Sequence, residues 1–142
     1  IRRSAEQVFD YASDPANEPE WNIRLKRVDK LTGGPAGVGA RYRMEFTQGP
    51  AAISECVCFE RPGYWEHAGG SKIISSGFSG RVVPKADGSR LLLRMQIRLR
   101  GPLRWALPLV RRRMQRELAR DLGTIKARLE GAAPASVGRR GR

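Results

Sequence analysis

The sequence predicts an α+β fold in which a curved antiparallel β-sheet wraps around one long C-terminal helix. Three observations carry this prediction. Residues 23–100 alternate apolar and polar side chains over short runs that are separated by turns, which is typical of consecutive antiparallel strands. Residues 101–131 instead repeat apolar side chains at intervals of three or four, the period of an amphipathic helix. At 142 residues the chain is long enough for one domain with its own core.

Two short helices are predicted at the N-terminus. Ser4 and Gln7 have the spacing of a capping box, with Ser4 as the N-cap of a helix whose apolar side lies within 8–12. The Asp-Pro pair ending at Pro15 stops this helix and begins a second short turn, which Pro19 closes. The strands begin after this second turn.

Strand candidates follow one another with short connections, so an antiparallel sheet of five or six strands is predicted. They cover 23–31, 40–48, 52–60, 64–68, 72–84 and 90–100. Asp87-Gly88 is a hairpin signal before the last of them. That last strand has the clearest period of two, with Leu91 to Leu99 inward and mostly arginines outward, which indicates a half-buried strand.

The stretch from Gly101 to Gly131 is the predicted long helix. Pro102 fits a first helical position and Gly131 a C-terminal cap. Because such a one-sided helix is not stable alone, its apolar stripe needs a large apolar surface to cover. The stripe consists of Leu103, Leu107, Val110, Met114, Leu118, Leu122, Ile125 and Leu129.

The net charge of +13 comes almost entirely from arginine, with 22 Arg against 5 Lys. Such a charge attracts nucleic acid, anionic lipid or acidic partners without specificity. Because no basic cluster is judged to be interleaved with exposed aromatic residues, no specific nucleic-acid partner is predicted. For the basic helix surface formed by 111–113, Arg116 and Arg120, weak contact with an anionic membrane beside Trp105 is the alternative to a solvated face.

Cys56 and Cys58 are separated by one residue in a strand, a spacing near or beyond the reach of an unstrained disulfide. They are therefore predicted to be buried free thiols in a reducing compartment. With a single histidine in the chain, neither a metal site nor a cofactor is predicted. No segment approaches 18 apolar residues and no signal-peptide pattern opens the chain, so a cytoplasmic location is predicted.

An ordered set of short motifs runs through residues 1–130. It comprises Ser4, Ala5, Glu6, Val8, Phe9, Asp14, Pro15 and Trp21, then Gly37-Val38-Gly39-Ala40-Arg41-Tyr42, Phe59-Glu60-Arg61-Pro62, Gly88-Ser89-Arg90-Leu91 and Gly101-Pro102-Leu103. In this order the motifs resemble the START-like (helix-grip, SRPBCC) superfamily, in its polyketide cyclase/dehydrase and lipid-transport branch.

This resemblance implies a cavity between the curved sheet and the long helix that holds a hydrophobic small molecule. Some members are aromatases or cyclases, and others bind or transport lipids, sterols, quinones or hormones. The family's domain usually begins with a strand, so Ile1 to Arg3 are expected to be the end of a truncated strand in a domain spanning 1–131. The basic tail 132–142 has no periodicity and is predicted to be disordered.

Two residues are candidates for proton transfer. His67 lies in a strand and could act as a general acid or base, the alternative being a hydrogen-bonded structural histidine. Glu55 alternates in phase with Val57, and on a buried face its pKa would rise and it could orient or protonate a bound ketone. The alternative is a bulge that reverses the register and buries Cys56 and Cys58 instead.

Ligand contacts are predicted from aromatic, aliphatic and methionine side chains, with plain core packing as the alternative for each one taken singly. The small residues Gly77, Ser79 and Gly80 would widen the cavity. Pro108 predicts a kink, which places the entrance within 103–110. The predicted ligand-contacting residues are Trp21, Tyr42, Met44, Val57, Phe59, Trp65, Phe78, Leu93, Met95, Leu107, Val110 and Met114.

Three functional hypotheses follow. The leading one is a small soluble protein that binds a hydrophobic or aromatic molecule, lipid or polyketide-like, because the family pattern is accompanied by no catalytic set. The second is a polyketide cyclase or aromatase-like enzyme that uses Glu55 or His67 for proton transfer. The third is a nucleic-acid or membrane-surface module driven by the charge of +13.

Overall fold

Six antiparallel strands and one long helix make up most of the structure, a computed structural model that describes residues 1–70 and 72–131. The α+β prediction is confirmed, and the tail predicted for 132–142 lies outside the described residues. Helix α1 spans Ala5–Ser13 and helix α2 spans Leu107–Gly131, while short 3-10 helices occupy Pro15–Glu20 and Gly101–Ala106. The strands are β1 Leu25–Lys30, β2 Arg41–Phe46, β3 Ala52–Glu60, β4 Tyr64–Gly70, β5 Ile74–Lys85 and β6 Gly88–Leu99.

Helix α1 begins with the predicted capping box. The Gln7 main-chain N–H donates to Ser4 Oγ, and the Ser4 main-chain N–H donates to Gln7 Oε1, both at 3.3 Å. Asp14 then caps the following 3-10 helix by accepting from the Ala16 main-chain N–H at 2.9 Å. These two caps fix the chain reversal that brings residues 18–24 beside the sheet.

The sheet has the strand order β1-β2-β3-β4-β5-β6, with each strand antiparallel to the next. Ile1 exchanges two main-chain hydrogen bonds with Ser89 of β6, at 2.9 and 2.8 Å. Ile1 therefore lies beside β6.

An irregularity in β3 decides which of its residues face the core. The pairing with β4 shifts between Cys56 and Cys58, so that Cys56 pairs with His67 and Cys58 with Glu66. Cys56 is buried before the bulge, and Phe59 contacts the core after it. The predicted burial of Glu55 is wrong, because the register before the bulge places it on the outer face. The alternative prediction, a bulge that buries Cys56 and Cys58 instead, is correct for Cys56, whereas Cys58 is only half-buried.

The core consists of two clusters on the inner face of the sheet. In the first, Phe9 packs edge-to-face on Phe59 and Trp65, with ring centroids 5.1 and 5.4 Å apart. Ile125 of α2 is fully buried in the same cluster. The second cluster lies toward β1 and β2 and contains Leu25, Ala40, Tyr42, Met44 and Cys56.

Helix α2 packs on the core only through its second half. Leu122 and Leu129 contact the first cluster on either side of Ile125, whereas Leu103 and Leu109 are exposed. The stripe predicted from Leu103 onward therefore covers less of the sheet than expected. Pro108, where a kink is predicted, lies in the first turn of α2, directly after the 3-10 helix ends at Ala106, and a proline at this position removes no hydrogen bond of the α-helix.

Candidate functional site

A cavity of about 270 Å³ lies between the inner face of the sheet and α2. Its apolar walls are formed by Met44, Phe46, Trp65, Phe78, Met95, Ile97 and Met114. Three depressions with larger volumes, about 380, 420 and 570 Å³, are lined mostly by exposed side chains. We assign the candidate site to the internal cavity, because small-molecule sites are concave and mostly apolar with few polar groups.

The methionines of the chain converge on this cavity. Met44 comes from β2, Met95 from β6 and Met114 from α2, and these are the three methionines of the sequence. Methionine side chains are flexible and polarisable, so they adapt to ligands of different outline. The cavity therefore has adjustable walls on three sides.

Trp65 forms an inner wall of the cavity and is fully buried. Its indole ring lies over Gly80 of the neighbouring strand, where a Cβ atom would overlap the ring. The predicted widening of the cavity by Gly80 is therefore wrong, because the space left by the absent side chain is filled by Trp65. A Cβ at Gly77 would meet its nearest neighbour, Gln96 Cβ, only at 3.9 Å.

His67 supplies a buried polar group to the cavity. The residue is 6% exposed and lies between Cys56 on β3 and Phe78 on β5. Its Nδ1 atom has no hydrogen-bond partner among the described residues, while the ring interacts with the main chain of Ser13. An imidazole that donates to a carbonyl through Nε2 carries its free lone pair on Nδ1. His67 therefore contributes to the lining of the cavity a buried ring whose Nδ1 atom is unpaired.

Burial keeps this imidazole neutral. Desolvation lowers the pKa of His67 to about 4, against smaller opposing effects from Asp14 and from the Ser13 main chain. At neutral pH the ring has no charge with which to attract an anion.

The second polar part of the cavity lining consists of the side chains of Glu18, Asn22 and Arg24. Glu18 Oε1 accepts from Asn22 Nδ2 at 2.9 Å, and Asn22 Oδ1 accepts from Arg24 Nε at 3.2 Å. Desolvation raises the pKa of Glu18 to about 7, although the hydrogen bond from Asn22 and the charge of Arg24 act in the opposite direction. This carboxyl therefore exchanges its proton near neutral pH.

Arg24 also connects this side of the cavity to α2. Its Nη1 atom lies 2.8 Å from Glu117 Oε2 and its Nη2 atom 3.5 Å from Asp121 Oδ2. Asp121 is only 2% exposed, and burial raises its pKa. Glu117 also pairs with an arginine of its own helix, since its Oε1 atom lies 3.0 Å from Arg113 Nε.

The structure brings six predicted site residues to the cavity: Met44, Trp65, His67, Phe78, Met95 and Met114. Trp21 and Tyr42 are buried behind the lining, in contact with Phe78 and His67 respectively. Phe59 and Leu93 pack on the core, and Leu107 and Val110 lie on α2 before the cavity. The predicted positions of Val57 and Glu55 inside the cavity are wrong: Val57 is 47% exposed, and Glu55 lies 3.9 Å from Arg41 on the outer face.

Several lining residues were not predicted. Ser54 and Ser76 could have been found by extending the period of two from Cys56 and Phe78. Glu18, Asn22 and Arg24 carry no such signal, because they belong to an irregular segment whose path depends on the caps before it. The other unpredicted members of the lining are Ala12, Ser13, Pro15, Phe46, Ala52, Ile53, Gly69 and Ile97.

Within 1–70 and 72–131, no three His, Cys, Asp or Glu side chains converge as a metal-binding group. Both cysteines are free, and burial raises the pKa of the Cys56 thiol. No helix in the described part of the chain is long and apolar enough to cross a membrane.

Comparison with known proteins places the chain among proteins of this architecture. A family model described as polyketide cyclase/dehydrase and lipid transport matches residues 1–130. No curated protein sequence matches the chain.

Solved structures with the same fold come from several bacteria. A protein from Thermus thermophilus superposes with a TM-score of 0.72 at 16% identity, covering 94% of each chain. The Zhui aromatase/cyclase from Streptomyces gives 0.72 at 15% identity, covering 97% of this chain and 93% of that one. A protein from Mesorhizobium loti gives 0.67 at 16% identity, covering 94% of each chain. At identities of 15 and 16%, these superpositions show that the fold is shared and nothing more specific.

Proposed function

The chain belongs to the polyketide cyclase/dehydrase and lipid transport family, and on this premise we propose that it binds one neutral, hydrophobic or aromatic small molecule in the internal cavity. The observation that carries the proposal is the lining itself: three methionines and three aromatic side chains surround a single buried histidine. Apolar walls supply most of the binding free energy, and the few polar groups orient the ligand.

The cavity favours a compact ligand. Its volume of about 270 Å³ lies just below the usual range of about 300–1,000 Å³ for small-molecule sites. A cavity of about 150 Å³ is known to hold a benzene ring. A molecule of one or two fused rings, or a folded short acyl chain, therefore fits without rearrangement.

Charge selects against anionic ligands in the cavity. Arg24 is engaged by Asn22, Glu117 and Asp121, so its charge is already balanced. His67 is neutral near pH 7, and Glu18 is partly ionised there. A carboxylate in the cavity would have no unpaired cation, whereas a hydroxyl group could donate to His67 Nδ1.

A fluorescent probe tests the proposal. Titration with the neutral two-ring fluorophore 1-naphthylamine should give saturable binding to the wild-type protein. Ser76→Phe adds a ring inside the cavity and should weaken binding about tenfold or more, because ligand and side chain compete for the same volume. Ser75 is the matched control, since alternation places it on the opposite face of β5. Equal binding by Ser76→Phe and Ser75→Phe would contradict the assignment of the cavity.

A second candidate function is cyclase-like proton transfer, and Glu18 favours it. A general acid or base is most effective when its pKa lies near the working pH, and the pKa of Glu18 is about 7. Glu18 and His67 line the same cavity, so one could donate a proton to a bound ketone while the other accepts one. In an assay with a poly-β-ketone thioester, Glu18→Gln should lower kcat while leaving probe binding intact. Unchanged turnover in both Glu18→Gln and His67→Gln would exclude this function.

We extend the proposal to the setting in which the ligand is acquired. The two free cysteines support a reducing, cytoplasmic location. Since a hydrophobic ligand is stored mainly in membranes, weak contact with an anionic membrane would give the protein access to it.

A further inference from the structure

Five large apolar side chains are exposed together at the corner where β6 ends and α2 begins. Trp105 and Leu109 are 79% and 74% exposed, and Leu103 lies on the same connection. Ile73 and Ile74 border it, because the Arg100 main-chain N–H donates to the Ile73 carbonyl at 2.9 Å and Ile74 pairs with Leu99. We call the set Ile73, Ile74, Leu103, Trp105 and Leu109 the Trp105 patch.

The segment of the chain that contains most of the Trp105 patch is rich in arginine and has no acidic residue. Between Gly88 and Arg116 the chain has nine arginines and no aspartate or glutamate. Arg104 lies over the Trp105 ring at 5.3 Å from its centroid. Arg111 and Arg112 follow Leu109 in the next helical turn and are exposed. Apolar side chains are thus bordered by cations, the composition of surfaces that bind anionic lipid bilayers.

The Trp105 patch adjoins the cavity on both of its elements. On the sheet, the patch member Ile74 lies two residues before the cavity residue Ser76, about 7 Å along the strand. On the helix, Leu109 lies five residues before the cavity residue Met114, about 7.5 Å along the axis. The patch therefore lies at the end of the cavity where α2 stands off the sheet.

We infer that the Trp105 patch is a docking surface for an anionic lipid bilayer, placing the end of the cavity against the acyl chains. Trp105 and Leu109 insert at the level of the headgroups, and the neighbouring arginines bind lipid phosphates. This inference rests on the proposed function, since it gives the route by which a hydrophobic ligand enters.

Charge complementarity favours a bilayer over a second copy of the chain. Two copies meeting through this patch would bring their arginine-rich segments together, which like-charge repulsion opposes. Nucleic acid satisfies the charge and its bases can stack on Trp105, but phosphate and stacking contacts do not bury the exposed aliphatic side chains of the patch.

Vesicle binding tests the inference with the full chain. At about 0.15 M salt, vesicles of phosphatidylcholine with 30% phosphatidylglycerol, but not phosphatidylcholine alone, should bind the protein. Brominated lipid should quench a component of the tryptophan fluorescence that the variant Trp105→Ser lacks, because Trp105 is exposed whereas Trp21 and Trp65 are buried. The double variant Trp105→Ser/Leu109→Ser should lower vesicle binding at least tenfold. Val38→Ser is the control, since it removes an exposed apolar side chain elsewhere.

The possible outcomes separate this inference from the proposed function. Dye binding in buffer should be the same for wild type and for Trp105→Ser/Leu109→Ser, which also shows that the variant is folded. Loss of vesicle binding with dye binding retained supports docking at the patch. Absence of binding to anionic vesicles, equal loss in Val38→Ser, or a concentration-dependent dimer that the double variant abolishes would overturn the inference, whether or not the dye binds. Binding to duplex DNA that survives the double variant, without vesicle binding, would overturn it as well.

Discussion

His67 and Glu18 line the same cavity, and burial shifts their pKa values in opposite directions. The pKa of His67 falls from an ordinary value of 6.5 to about 4, so between these values the unfolded chain binds the additional proton and stability rises with pH. The pKa of Glu18 rises from 4.5 to about 7, so over that interval the folded chain binds the additional proton and stability falls with rising pH. The two effects oppose each other between about pH 4.5 and 6.5.

Variants of these residues should separate the two contributions. In Glu18→Gln, the free energy of unfolding should rise steeply from pH 4 to 6.5, because the His67 contribution of roughly 3 kcal/mol is no longer opposed. In His67→Gln it should instead fall from pH 4.5 to 7. Urea unfolding at a series of pH values measures both profiles. Profiles parallel to that of the wild type would show that neither pKa is shifted as described.

Gly80 is required by the position of Trp65. Because a Cβ at Gly80 would overlap the indole ring, Gly80→Ala should displace Trp65 and destabilise the fold by about 1–3 kcal/mol. Gly77→Ala on the same strand is the matched control, since its Cβ has 3.9 Å to the nearest atom. Chemical denaturation followed by tryptophan fluorescence measures both. Equal stability of the two variants would show that the indole ring can move at no cost.

At the level of elements, the contact of Arg24 with α2 holds the helix over the cavity. Arg24→Met leaves the carboxylate of Asp121, which is 2% exposed, without its cation. We expect a loss of about 2–4 kcal/mol in the free energy of unfolding at pH 7. In Arg24→Met/Asp121→Leu much of this loss should be recovered, because the buried charge is removed together with its partner.

Arg113→Met is the control for this prediction. It removes only the exposed pair with Glu117, which should change stability by less than about 0.5 kcal/mol. Thermal unfolding of the four proteins gives the comparison. If Arg24→Met cost no more than Arg113→Met, Arg24 would not be the residue that holds the helix.

Individual elements differed in how far the sequence predicted them. The range of β3 and the capping box of α1 followed directly from local patterns. The face of β3 did not, because the bulge between Cys56 and Cys58 reverses the alternation on which the placement of Glu55 and Val57 depended. The start of α2 was missed because a 3-10 helix at 101–106 has nearly the same local sequence preferences as an α-helix.

For the whole molecule, the family and the fold followed from the order of short motifs, but the site followed only in part. For residues on regular strands, such as Phe78 and Met95, the alternation of apolar and polar side chains predicted the inward face correctly, and both line the cavity. Glu18 and Arg24 were not predicted, because they lie in the segment before β1, which has no regular alternation. The position of Arg24 also depends on its ion pair with Glu117 of α2, a long-range contact that local periodicity does not encode. For the charge of +13, the sequence leaves a solvated surface and an anionic membrane as alternatives, and nine of the arginines belong to the segment around the Trp105 patch.

The central claim is that a ligand occupies the cavity lined by the three methionines. Labelling the methyl groups of Met44, Met95 and Met114 with ¹³C gives three NMR signals that all report on this cavity. On titration with 1-naphthylamine, we expect all three signals to shift together and to saturate at one equivalent, because the fused rings of the dye lie against each methyl group. If the dye binds while these signals stay unshifted, the ligand site lies elsewhere and the account of the cavity is contradicted.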